Sequence, residues 1–245
     1  MSEALVWISG GSGGIGRALA AAVPWDGARV IDISRRGSPD LEHVEADLSD
    51  SASWGTVAQS FERELRAFSG DVVVFIHAAG TLEPMGFAGE VDSDSYARNV
   101  VLNSAAPQTL GHGFLAAARE VDARRHLVML TSGAASSVYA GWSSYGAGKA
   151  AVDQWVRNVG AEQDERGGVQ VISVTPGTVD TGMQAHIRET SEEDFPKREK
   201  FVDLHEKDEL EDPDRVAREI WGLLDRDLDN GAVVDLRELT TASDE

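Results

Sequence analysis

Short apolar runs recur along this chain, separated by stretches of mixed polarity with helical spacing. Residues 72–76 (VVVFI) are apolar throughout, which is how a parallel strand covered on both faces reads. Further strands are predicted at 4–9 (ALVWIS), 28–33 (ARVIDI), 43–46, 126–131, 169–175 and 232–236. Helical patterns cover 17–23, 51–68, about 92–121, 145–166 and 214–224, with Ser49 or Asp50 placed to cap the second. Strands alternating with helices predict one α/β domain over 1–245, built on a doubly wound parallel sheet of about seven strands. Only residues 184–212 break the rhythm. They are long, charged and follow a strand end, on the side of such a sheet where ligands bind, which predicts a lid over a substrate rather than a solvated insertion.

Charge narrows the function. Of 245 residues 42 are acidic and 22 basic, a net charge of −20, which argues against a nucleic-acid partner. There is no cysteine, so disulfides, thiolate catalysis and Cys-ligated metals are excluded. The six histidines show no H-x-x-x-H or H-E-x-x-H pairing, so no catalytic metal is expected. The first apolar run is too short for a signal-peptide core or a membrane span, and a cytoplasmic protein with no membrane partner is expected. Only four of the 22 basic residues are lysines. Acid-rich, Lys-poor surfaces suit high salt; codon bias toward arginine on an ordinary solvated surface is the competing account.

The turn after the first strand, Ser9-Gly10-Gly11-Ser12-Gly13-Gly14-Ile15-Gly16-Arg17-Ala18, fits several templates. It contains G-x-S-x-G, but only one strand precedes Ser12, whereas a hydrolase elbow normally follows several. It approaches a P-loop, but Arg17-Ala18 stands where Lys-Ser/Thr is required. A strand, a glycine turn and a helix N-terminus remain, which together place backbone N–H groups and the helix dipole against a pyrophosphate. After the second strand, Ser34-Arg35-Arg36 occupies the place of an acid that would bind ribose hydroxyls. Two guanidiniums there suit a 2′-phosphate, so NADP(H) is expected; Asp32 is the candidate for the opposite preference.

Tyr145 and Lys149 are four residues apart at the start of a predicted helix, on one helical face. A phenol titrates near pH 10, and an adjacent ammonium lowers that value, so Lys149 is expected to tune Tyr145 as an acid–base group. Ser132 ends the strand thirteen residues upstream, where its hydroxyl can polarise a carbonyl.

Taken together, these motifs resemble the short-chain dehydrogenase/reductase family along essentially the whole chain. Gly10, Gly14 and Gly16 match its glycine motif, Asp47-Leu48 its adenine contact, and His77-Ala78-Ala79-Gly80 its Asn-Asn-Ala-Gly, with Ala78 in place of the second Asn. Asn103 matches its helix Asn, and Pro176-Gly177-Thr178-Val179-Asp180-Thr181 its segment beside the nicotinamide. The runs GWSSYGAGKAAVD and PGTVDTGMQAHIR look most like the sepiapterin reductase and benzil reductase branch.

The resemblance implies a Rossmann-type fold and NADPH-dependent reduction of a small-molecule ketone, an α-diketone or a pterin side-chain ketone. Alternatives are a 3-oxoacyl-thioester or a sugar/alcohol dehydrogenase of the same family, and a non-catalytic NADP-sensing regulator. It implies Tyr145 as proton donor, Lys149 holding the nicotinamide ribose, Ser132 on the carbonyl oxygen and Asn103 in a water relay. Ser12, Ile15, Ala79, Gly80, Pro176, Gly177, Val179 and Thr181 complete the expected cofactor contacts, and Trp142 and Met183 the substrate pocket. His77 is expected as a strand-end residue near the cofactor rather than a catalyst or ligand. The long helices at 92–121 and 145–166 are expected to carry a homodimer or homotetramer.

Overall fold

The computed structural model describes residues 3–241. Seven strands form one parallel sheet in the order β3-β2-β1-β4-β5-β6-β7. They are β1 (Ala4–Ser9), β2 (Arg29–Ser34), β3 (Glu42–Glu45), β4 (Val72–His77), β5 (Arg124–Leu130), β6 (Gln170–Thr175) and β7 (Val233–Asp235). The centre is the most apolar part because it has no exposed face: every residue of β1 and β4 is buried. The order reverses between β1 and β4, and this switch point opens a crevice at the C-terminal ends of the strands.

Helices cover both faces: α1 (Gly14–Ala21), α2 (Trp54–Arg66), α3 (Ser93–Val100), α4 (Ala106–Ala118), α5 (Ser143–Asp164), α6 (Gly182–Glu189), α7 (Arg198–Glu206), α8 (Pro213–Gly222) and α9 (Leu236–Thr241). One core, with Trp7, Phe61, Phe75 and Phe114 at its centre, lies under α2, α4 and α5; the other, with Ile8, Ile76 and Trp221, lies under α1 and α8. Asp50 caps the helical segment before α2, its carboxylate accepting the Ala52 N–H.

Two departures from the expected elements bear on the site. The predicted helix at 92–121 is interrupted at its middle by a π-helical turn, Val101–Ala105, which carries Asn103. Residues 184–212 are about half helical, in the end of α6 and in α7. Their apolar side chains, Ile187, Phe195 and Phe201, pack in a third, smaller cluster with Trp142 and Tyr145 rather than on the sheet. Gln184 Nε2 donates to the Phe201 carbonyl (3.1 Å) and Arg198 Nε to that of Arg188 (2.8 Å), tying the two helices together.

Candidate active site

β1 ends in a turn that only glycine can make. Gly10 has φ +75°, and a Cβ there would lie 3.2 Å from the Ala79 backbone. At Gly16, in the first turn of α1, a Cβ would fall 2.2 Å from the Gly10 carbonyl oxygen. Gly14, with φ +49°, faces the methyl of Thr181. No side chain caps α1, so the amides at its N-terminus suit an anionic group. The chain leaving β4 is held against this turn by Ser9, whose Oγ accepts the N–H groups of Ala78 and Ala79, both at 3.1 Å. Those two bonds support the strand end at which Ala78 replaces the expected Asn.

From the glycine turn a cleft extends over the ends of β2 and β3. Ser12 and Ala79 lie at its turn end, Ser34, Arg35 and Arg36 on one side, and Asp47 and Leu48 on another. Arg35 and Arg36 are exposed and form no ion pair among the described residues. Asp32 does not line this cleft: it is fully buried beneath Gly11, and its Oδ2 accepts the Ser34 hydroxyl at 2.7 Å. Asp47 accepts both the backbone N–H and the hydroxyl of Ser49. Its carboxyl is held below the usual carboxylate range chiefly by the Ser49 hydroxyl, with Arg35 and Arg98 adding to the effect. Arg98 lines the cleft from α3, a residue the sequence reading did not single out.

A second cleft meets the first at Gly80, which lines both. Ser132, Tyr145 and Lys149 converge here from the end of β5 and the first turns of α5. The Ser132 hydroxyl acts on the Tyr145 phenol and favours its ionised form. Lys149 Nζ donates to the Leu130 carbonyl at 2.9 Å and stands 5.8 Å from the Tyr145 ring centroid. Burial, not Lys149, dominates Tyr145: desolvation raises its pKa, opposed by the Ser132 hydroxyl. This corrects the expectation that Lys149 lowers it. Burial also pushes Lys149 down to about 8, with Asp153 opposing.

Asn103 is fully buried in the π-turn. Its Nδ2 donates to the Thr81 carbonyl (2.8 Å) and to Asn99 Oδ1 (2.9 Å), while its Oδ1 accepts the Thr81 N–H (3.2 Å). The side chain therefore pins the long helix to the loop that follows β4. A Cβ at Gly80 would lie 3.0 Å from Asn103 Oδ1 and 3.6 Å from Lys149 Nζ, so this glycine separates the two.

Pro176, Gly177, Val179 and Thr181 run along the pocket after β6, and Ile15 joins them from α1. Trp142 and Met183, both expected at the pocket, line it. Trp142 stacks on Phe195 with centroids 4.4 Å apart and lies edge-on to Tyr145 at 5.6 Å. Lys200, Phe201 and Arg237 also line it; no local signal marks them, because two come from the segment without predicted structure and one from the last helix. His77, at the end of β4, is fully buried against Phe75 and does not line either cleft.

The profile described as "short chain dehydrogenase" matches residues 4–192. The chain belongs to the short-chain dehydrogenase family. It is 35% identical over 237 residues to "Benzil reductase ((S)-benzoin forming)" of Bacillus subtilis (strain 168), covering 94% of this chain and 97% of that protein. It is 32% identical over 250 residues to the sepiapterin reductase of Mus musculus, covering 93% of this chain and 94% of that protein. Among solved structures, the KRED1-Pglu enzyme superposes with TM-score 0.78 at 26% identity, over 94% of this chain and 99% of that one. This short-chain dehydrogenase is therefore an oxidoreductase of a family that uses nicotinamide cofactors.

Proposed function

We propose that this protein reduces a ketone of an α-dicarbonyl compound with NADPH. The observation that carries the reading is the meeting of two clefts at Gly80: one bordered by Ser34, Arg35 and Arg36, the other holding Ser132, Tyr145 and Lys149 under an aromatic wall. The likeness to benzil reductase and sepiapterin reductase supports the carbonyl class.

The residues present fit a dinucleotide. The uncapped N-terminus of α1 receives its pyrophosphate, and Arg35 and Arg36 receive a 2′-phosphate through charge-assisted bonds. Asp47 and Leu48 border the adenine, and Pro176, Gly177, Val179 and Thr181 the nicotinamide. Bound NADPH supplies a hydride to the carbonyl carbon. Tyr145 gives its proton to the carbonyl oxygen as negative charge builds there; burial keeps the phenol protonated, as a reducing enzyme requires. Ser132 Oγ accepts the Ala134 N–H at 3.2 Å, which holds the hydroxyl in place to donate to the same oxygen when a substrate is bound. Lys149, with a pKa near 8, is mostly charged at neutral pH and binds the nicotinamide ribose. Asn103 keeps one lone pair of Oδ1 for a water that returns a proton past Lys149. Trp142 and Phe201 exclude bulk water, and the segment 184–212 closes over the substrate as a lid.

NADPH and NADH oxidation measured against benzil, sepiapterin, a 3-oxoacyl thioester and a sugar tests this. NADPH-preferring turnover of benzil or sepiapterin is expected. A clear NADH preference removes the assignment of Arg35 and Arg36, activity confined to the thioester moves the enzyme to another substrate class, and dinucleotide binding without turnover makes it a sensor.

A further inference from the structure

Basic side chains are scarce here, and their placement is uneven. Of four lysines, Lys149 lies in the catalytic pocket, and Lys197 and Lys200 both stand over the Tyr139 ring, 4.9 and 5.3 Å from its centroid. Only Lys207 lies outside this region, and it is paired with Asp203 at 3.1 Å. Lys200 lines the pocket and is held there: its Nζ donates to the Tyr139 hydroxyl at 2.9 Å. An ammonium has three donors, so two remain. Among the described residues neither Lys197 nor Lys200 forms an ion pair. Glu199, next to Lys200 in the chain, pairs with Arg198, and Asp235 pairs with Arg237, which also lines the pocket. Among the described residues no acidic side chain lines the pocket, in a chain with 42 of them. Two unneutralised ammonium groups on one ring repel each other unless an anion joins them.

The aromatic wall sets where that anion would be. Trp142 stands between the two tyrosines, 4.9 Å from the ring of Tyr139 and 5.6 Å from that of Tyr145. A ligand whose carbonyl meets Tyr145 and Ser132, and whose flat apolar body lies along Trp142, brings its far end to Lys200.

Resting on the reductase reading above, we propose that the preferred substrate is an aryl α-dicarbonyl carrying a carboxylate at the end remote from the reacting ketone, bound by Lys200 with Lys197 reinforcing the field. The lysines act on binding and not on the chemical step.

The test compares 1-phenylpropane-1,2-dione with its para-carboxylate at low ionic strength. The wild type is expected to favour the carboxylate by about tenfold in kcat/KM, mostly through KM, as a charge-assisted hydrogen bond implies. Lys200→Gln should erase most of that ratio, Lys200→Arg should restore much of it, and salt should narrow it. Equal or better use of the neutral diketone by the wild type, or a Lys200→Gln variant that weakens both substrates alike, overturns the proposal. Calorimetric binding of the two diketones, with NADP+ present, reads the same ratio without turnover. An inactive protein that still binds the carboxylate preferentially removes only the reductase reading.

Discussion

At the level of single residues, burial governs the chemistry. Tyr145→Phe keeps the ring between Trp142 and Lys149 but removes the proton donor. Turnover should fall by about 10²–10⁴, the usual contribution of a positioned acid, while NADPH affinity by fluorescence titration changes little; turnover within tenfold of wild type would remove Tyr145 as the acid. His77 makes a different prediction. It is fully buried, and desolvation holds it down to about 3, outweighing a weak contact with the Ala79 backbone. The unfolded chain protonates this ring near pH 6.5, so between those values the unfolded state binds more protons. Stability should therefore drop as pH falls from about 6.5 toward 3. His77→Leu should flatten that slope in urea unfolding, against the background of the titrating carboxylates; an unchanged slope would show that the imidazole is protonated in the fold. The four-residue spacing of Tyr145 and Lys149 announced the reacting groups in the sequence. It did not announce that the lysine would bond Leu130 and leave desolvation to set the phenol, because local spacing carries no information about burial.

At the scale of elements, the π-turn and α5 depend on one close approach. A Cβ at Gly148 would lie 3.0 Å from Asn103 Cβ and 3.3 Å from its carbonyl carbon. Gly148→Val should push the π-turn away from α5, cost about 1–3 kcal/mol as overpacking does, and lower kcat more than it changes cofactor binding. Gly16→Ala is expected to be more severe, since its Cβ would meet a backbone carbonyl at 2.2 Å; loss of dinucleotide affinity with the far-UV spectrum retained is the expected result. The strands were legible because β1 and β4 are covered on both faces and read as unbroken apolar runs. The π-turn was not, since it arises from Asn103 bonding the Thr81 backbone, twenty-two residues away in the chain. Helices α6 and α7 escaped for a related reason. Their few apolar residues face the small aromatic cluster and not the sheet, so no long amphipathic stripe marks them. The same distance in sequence hid Lys200 and Arg98, whose neighbours in the clefts come from other elements.

For the molecule as a whole, a charge of −20 repels itself in the folded state. If the surface is built for high salt, the unfolding temperature should rise between about 0.1 and 2 M KCl by more than sulfate-type salting-out alone gives; no rise would leave only an ordinary acidic surface. None of the described helices is long and apolar enough to cross a membrane. We expect association through the helices within 92–121 and 145–166, with a mass by light scattering of two or four chains. Finally, the two clefts share Gly80, a residue with no side chain to partition them. Whatever lies at the nicotinamide end of the first is then the floor of the second. The substrate pocket lacks a base until the dinucleotide has entered, so the reactants should arrive in a compulsory sequence. Initial-rate inhibition would display it: NADP+ competing with NADPH, and the alcohol product competing with neither reactant's free-enzyme form but trapping the oxidised complex.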